Sequence, residues 1–200
     1  AFRILVTGMG TIHSDWAPML AILAVASLVV GNLAAIMQTN IKRMLAYSTV
    51  SHMGFILLAF MAGAVGFTAG LYYAITYALM ATVSFGVLMV LSTKDIECEN
   101  IKDLAGLNQR HAWFAFLMLL SMFSMAGIPP LMGFYAKFGM IMALLKQGYV
   151  WLSVFAVIMS LIGAFYYLRV VKVIYFDAPD HDQPVGSNYA AKFVLTVNAF

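Results

Sequence analysis

No residue in 17–37, 70–92 or 147–168 carries a charge. In 44–65 the only side chain that takes a charge near neutral pH is His52, and 112–145 holds a single lysine, Lys137. A helix needs about 20 apolar residues to cross the hydrocarbon core of a bilayer. Five such runs in 200 residues leave little else, and the composition agrees: 64% of the chain is hydrophobic and 10% charged, against about 25% charged in ordinary soluble domains. The 11 basic and 8 acidic residues are too few to coat a soluble core, which excludes a soluble globular enzyme, as well as disordered, collagenous and disulfide-rich classes. The reading is an all-α, polytopic bundle of transmembrane helices. Cys98 is the only cysteine, so no internal disulfide exists. The net charge of +3 does not point to nucleic acid, because the basic residues sit at the ends of apolar runs and form no patch.

The run 112–145 is too long for one crossing. Its 34 residues would reach about 51 Å as a continuous helix at about 1.5 Å per residue. Gly127-Ile128-Pro129-Pro130 lies in its middle. Two adjacent prolines remove two backbone donors and clash with the preceding turn. The expected result is a discontinuous helix, with one half at 112–126 and the other from Leu131 onward. Broken backbone at membrane depth survives only where protein or a water-filled cavity covers it. The spans expected are therefore 17–37, 44–65, 70–92, 112–145 (broken) and 147–168, flanked by partial helices at 1–6 and 193–200. Both ends read like helices cut short, so the chain is expected to be a fragment.

Basic residues sort by side. Lys42 and Arg43, then Lys94, Lys102 and Arg110, then Arg169, Lys172 and Lys192 fall together if the spans alternate; Lys146 and Arg3 fall opposite. Positive charge marks the cytoplasmic side, so loops 39–43, 93–111 and 169–192 are expected there. A short surface helix is plausible in 93–111. The acidic loop 177–184 fixes no ligand geometry for a metal.

Lys137 is the main chemical signal. An ammonium within a span is costly and normally faces a bundle interior or a wet cavity. An amine there can gain and lose a proton, which an arginine cannot do. His52 lies about a third of the way into its span beside Ser48, Thr49 and Ser51; neutral histidine both donates and accepts, and suits a proton relay or a structural hydrogen bond between helices equally. Lys42 and Arg43 open the same span as topology anchors, with Lys42 a candidate point of proton uptake. Arg169 and Lys172, following Tyr166-Tyr167, read as an interfacial anchor with an aromatic belt. No phosphate-binding glycine loop, no cysteine or histidine set for iron–sulfur or haem, and no nucleophile–base pair is present.

Two stretches carry a resemblance. Asn40-Ile41-Lys42-Arg43-Met44-Leu45-Ala46-Tyr47-Ser48-Thr49-Val50-Ser51-His52-Met53-Gly54 and Ala126-Gly127-Ile128-Pro129-Pro130-Leu131-Met132-Gly133-Phe134-Tyr135-Ala136-Lys137-Phe138 resemble the signatures of the antiporter-like membrane subunits of respiratory complex I, NADH–quinone oxidoreductase, and within them the N-type form. So do Trp113-Phe114-Ala115-Phe116 and 163–171. A sister branch carries an acidic residue where this chain has Lys137. The resemblance implies the second of two inverted five-helix repeats, with its fourth helix broken. It implies a membrane-arm subunit of a bacterial inner (plasma) membrane that translocates protons through Lys137, His52 and Lys42. It also implies other subunits of complex I as partners, including neighbouring antiporter-like subunits, with the lipid bilayer around them. No cofactor is expected in this chain; NADH, FMN, iron–sulfur clusters and quinone would belong to partner subunits. The span 70–92 contains no Lys or His, where some sister subunits carry one. The alternative implied is a monovalent cation/proton antiporter subunit of Mrp type.

Overall fold

The computed structural model describes residues 4, 8, 13–92, 98–179 and 189–199. They form α1 (His13–Met37), α2 (Ile41–Met61), α3 (Gly63–Leu91), a 3-10 turn (Ile101–Leu104), α4 (Leu107–Arg110), α5 (Ala112–Ala126), α6 (Met132–Lys146), α7 (Val150–Phe176) and α8 (Tyr189–Ala199). Within α1, α2, α3 and α7 are stretches long and apolar enough to cross a membrane. α5 and α6, of 15 residues each, are the two halves of the run that the prolines divide. No β-strand occurs among the described residues.

Besides its apolar core, the bundle buries several small and polar side chains and leaves many large apolar ones exposed. Met89, Trp151, Leu161 and Phe165 are exposed, while Asn32, Ser48, Ser51, His52, Thr76, Ser121, Ser124 and Lys137 are buried. That pattern suits lipid, which offers apolar surface no reason to hide and polar groups no partner. α1 and α2 pack as an antiparallel pair whose backbones nearly touch. A Cβ on Gly31 would come to 2.9 Å from the Tyr47 carbonyl oxygen, so only glycine fits.

Several helix ends differ from the expectation. The second span stops at Met61, and α3 begins at Gly63 after a sharp turn through Ala62, so the corner lies at 62 and not at 66–69. Gly63, at φ 59°, supplies the left-handed residue that the turn needs. The last span runs to Phe176, so Arg169 and Lys172 are helical and do not open a loop. Tyr166 and Tyr167 are each 1% exposed; they lie in the core and form no interfacial belt. The partial helix at 1–6 lies outside the described residues save Ile4, and Lys94 and the Asp/His cluster at 180–182 lie outside them altogether. The expected helix at 193–200 appears as α8.

Described parts of the three basic segments meet at one end of the bundle, as the charge sorting requires. The Ile41 N–H donates to the Glu99 carbonyl at 2.7 Å and the Ile101 N–H to the Thr39 carbonyl at 2.9 Å. The Gly106 N–H donates to Val173 of α7 at 3.3 Å. Arg169 reaches across from α7 to the end of α1, donating to the Ile36 and Gln38 carbonyls at 3.0 and 2.6 Å. Those carbonyls are among the unpaired acceptors that every helix C-terminus leaves. Arg169→Gln removes two charge-assisted bonds, each worth about 1.5–3 kcal/mol. The expected result is a loss of about 2–4 kcal/mol of stability after partial replacement by the amide. Thermal unfolding in detergent micelles checks this, and an unchanged midpoint contradicts it.

Candidate functional site

The break between α5 and α6 is built from three local features. Gly127 adopts φ 87°, and the N–H groups of Gly127 and Ile128 fold back onto the Ser124 and Phe123 carbonyls. This is the usual glycine closure of a helix. The prolines then carry the chain to Leu131. Finally, the Ser124 hydroxyl of α5 accepts from the Gly133 N–H at 3.0 Å, capping the first turn of α6 from across the break.

Spacing places the polar groups. Gly133, Ala136, Lys137 and Met140 recur at helical intervals and share the buried face of α6. Tyr73, Thr76, Tyr77 and Met80 do the same on α3; Ser160 and Tyr167 share a face of α7. Lys137 is 7% exposed. Its Nζ donates to the Ala126 carbonyl at 3.0 Å and to the Ser160 hydroxyl at 2.9 Å, and lies 5.5 Å from the centre of the Phe55 ring. Ala126 is the last residue of α5, so the ammonium sits at the negative end of a helix dipole. Among the described residues no carboxylate is buried. Among the described residues, Lys137 therefore meets dipoles and an aromatic face and no counter-ion.

His52 stands on α2, 5% exposed. Its Nδ1 lies 2.7 Å from the Tyr73 hydroxyl and its Nε2 2.9 Å from the Tyr167 hydroxyl. The Tyr77 ring lies against it at 4.4 Å, and the Tyr77 hydroxyl meets Thr49 at 2.6 Å. His52, Tyr73, Thr76, Tyr77, Ser124 and Lys137 line one cavity with roughly 10 Å³ of room for a water's centre, about what a single water needs. The residues that surround this water-sized space include an amine, an imidazole and four hydroxyl-bearing side chains, although its wall is mostly apolar, and these are groups that can exchange protons.

Lys42 stands apart. It lies at the bundle end, half-exposed, 3.5 Å from Glu99, ten residues and about 15 Å along α2 from His52. The structure thus brings Lys137 and His52 together and leaves Lys42 outside their cluster. Several polar partners escaped the sequence reading: Asn32, Tyr73, Tyr77, Ser160, and Tyr167 as a buried group. Asn32 is the lone carboxamide in 17–37, a signal that was visible. The tyrosines were not distinguishable from lipid-facing aromatics without knowing which face packs.

The family described as "NADH:quinone oxidoreductase/Mrp antiporter, TM" matches residues 1–163. This chain belongs to that family. It is 80% identical over 200 residues to the NADH-quinone oxidoreductase subunit N of Neisseria gonorrhoeae, covering 100% of this chain and 42% of that protein. It is 55% identical to the subunit N of Nitrosomonas europaea, covering 98% of the chain and 41% of the relative. The chain thus spans about two-fifths of the length of these family members. Among solved structures, respiratory complex I from Thermus thermophilus with bound Aureothin superposes with a TM-score of 0.82 at 30% identity, covering 92% of this chain and 42% of the other. The Mrp complex from Dietzia sp. DQ12-45-1b gives 0.76 at 26% identity, covering 88% and 32%. The family membership and the discontinuous helix agree with the fold read from the sequence, and the chain is an integral membrane protein.

Proposed function

We propose that this chain is a proton-conducting portion of an antiporter-like subunit in a NADH–quinone oxidoreductase of a bacterial inner membrane, with the 39–43 end cytoplasmic. Lys137 and His52 exchange a proton through one water in their shared cavity. Lys42, at the bundle end, serves proton uptake from the cytoplasm. Electron transfer from NADH to quinone takes place in other subunits, which hold the FMN and iron–sulfur clusters. The observation that carries this reading is the convergence of Lys137 and His52 on one water-sized cavity beside the helix break. The Mrp-type alternative fits less well. A bare monovalent cation in a membrane is held by oxygen ligands, most effectively a carboxylate, and among the described residues no carboxylate is buried.

The test is His52→Leu in the assembled complex, in inside-out membrane vesicles. Proton translocation is expected to fall severalfold relative to NADH–quinone reductase activity, while complex content stays normal. Full translocation in a fully assembled variant overturns the reading. Translocation that depends on sodium without NADH oxidation favours the alternative.

A further inference from the structure

The amine of Lys137 is held on two sides, and the two partners differ in kind. Its Nζ meets the Ala126 carbonyl at 3.0 Å and the Ser160 hydroxyl at 2.9 Å. The stem of the side chain lies over Gly127: a Cβ there would come to 3.0 Å from the Lys137 Cδ. The amine is thus seated against the end of α5 and against α7 at once, beside the cavity that Lys137 lines together with His52. Ser160 is set apart from other serines of the bundle. Ser48, Ser84, Ser121 and Ser153 each donate to a main-chain carbonyl one turn earlier. Among the described residues, the hydrogen bond that Ser160 makes is the one with Lys137.

A carbonyl only accepts, so the Ala126 contact needs an N–H on Nζ whatever the charge of the amine. A hydroxyl both donates and accepts. Against the ammonium, which has hydrogens and no lone pair, Ser160 must accept. Against the neutral amine, which has gained a lone pair, Ser160 can keep accepting or turn its own hydrogen toward the nitrogen. The same 2.9 Å contact therefore serves both states, at the cost of a hydroxyl rotation. A carboxylate in that place would act differently. Its charge would favour the ammonium over the amine and so oppose release of the proton. The titratable groups that share the cavity with Lys137 are His52 from α2 and Tyr73 and Tyr77 from α3. Among the described residues, α5 and α7 bring only a carbonyl and a hydroxyl to the amine.

We propose that Ser160 is a positioning residue for proton exchange at Lys137, its hydroxyl holding the amine beside the cavity in both protonation states by accepting from the ammonium and by accepting from or donating to the neutral amine. The proton leaves from the cavity side of Nζ. One N–H bond breaks there, its electron pair staying on Nζ, and one N–H bond forms on His52. The water between them gains one O–H bond and loses another. The Ser160 hydroxyl ends the exchange with the hydrogen it began with. This inference rests on reading Lys137 as part of the relay with His52.

The experiment uses the intact complex in inside-out vesicles, with translocation normalised to quinone reductase activity. Ser160→Ala is expected to lower translocation severalfold, and Ser160→Thr, which keeps a hydroxyl, to recover most of it. A role in packing alone gives the opposite order, since alanine trims one atom and threonine adds a methyl group. Ser160→Asp sets a carboxylate against the ammonium and is expected to pump no better than Ser160→Ala. Ser160→Ala combined with Lys137→Ala is expected to match Lys137→Ala alone, since both act at one amine. Solid-state NMR of the complex labelled with nitrogen-15 lysine reads the contact itself. The Nζ resonance that disappears in Lys137→Ala is expected to move in Ser160→Ala and to stay near its place in Ser160→Thr. The proposal is overturned by full translocation in an assembled Ser160→Ala variant, by Ser160→Thr pumping as poorly as Ser160→Ala, by wild-type translocation in Ser160→Asp, or by an Nζ resonance that Ser160→Ala leaves in place. Full pumping by Lys137→Ala overturns the relay reading, and with it the exchange that Ser160 serves, while a moved resonance in Ser160→Ala still establishes the contact.

Discussion

Lys137→Ala is expected to leave the complex assembled and to lower proton translocation about tenfold, the effect of ~1.4 kcal/mol on a limiting barrier. Assembly survives because an ammonium within a span opposes membrane insertion, so its loss favours insertion. What the substitution removes is specific. The Ala126 carbonyl loses its charge-assisted donor, Ser160 loses its partner, and the cavity loses its only amine. Lys137→Arg sharpens the point. It keeps a positive charge at the end of α5, and with it the favourable interaction with the helix dipole, but a guanidinium does not release a proton under physiological conditions. If the role of Lys137 is to hold the break by charge, arginine restores translocation and alanine does not. If its role is proton exchange, both fail alike. Dye-quench measurements on inside-out vesicles, normalised to quinone reductase activity, separate the two. Near-normal pumping by Lys137→Ala in an assembled complex removes the basis for any relay here.

Much of this site was legible because it rests on costs that sequence exposes directly. A lysine inside an apolar run is expensive, and so is a proline pair inside a helix. Their proximity, seven residues apart in sequence, is what a shared cavity requires, and the structure places Lys137 against the last carbonyl of the broken half. The basic residues likewise announced which helix ends belong together. What stayed hidden depended on which face of each helix packs inward. Transmembrane helices have little amphipathic signature, because lipid and core are equally apolar. Tyr166, Tyr167 and Phe165 are adjacent aromatics, yet the first two are buried and the third is 60% exposed. Arg169 was placed at the correct end of the bundle but in a loop, because a charge normally ends a span. Here the charge stays helical by binding the carbonyls that α1 leaves open.

Gly133→Ala is expected to be the most damaging glycine-to-alanine change among the described glycines. A Cβ at Gly133 would overlap the Ser124 carbonyl oxygen and crowd the Ser124 hydroxyl at 2.9 Å. The neighbour is backbone in the last turn of α5, so it cannot swing away as a flexible side chain would. Relief requires α6 to move off α5. That movement breaks the Gly133–Ser124 cap and draws Lys137, one helical turn further on the same face, away from Ala126 and from the His52 cavity. Overpacking of this kind costs about 3 kcal/mol or more when backbone must shift. The predicted outcome is a large fall in thermal stability in micelles, with poor translocation in whatever protein assembles although every titratable residue remains. Gly139 supplies the internal control. It lies on the same helix with nothing within 4 Å of a built Cβ, so Gly139→Ala is expected to be neutral or to stabilise by about 0.5–1 kcal/mol through helix propensity. Equal tolerance of alanine at both positions would mean that α5 and α6 do not meet as closely as Ser124 and Gly133 require. The lysine would then have no fixed helix end to rest on.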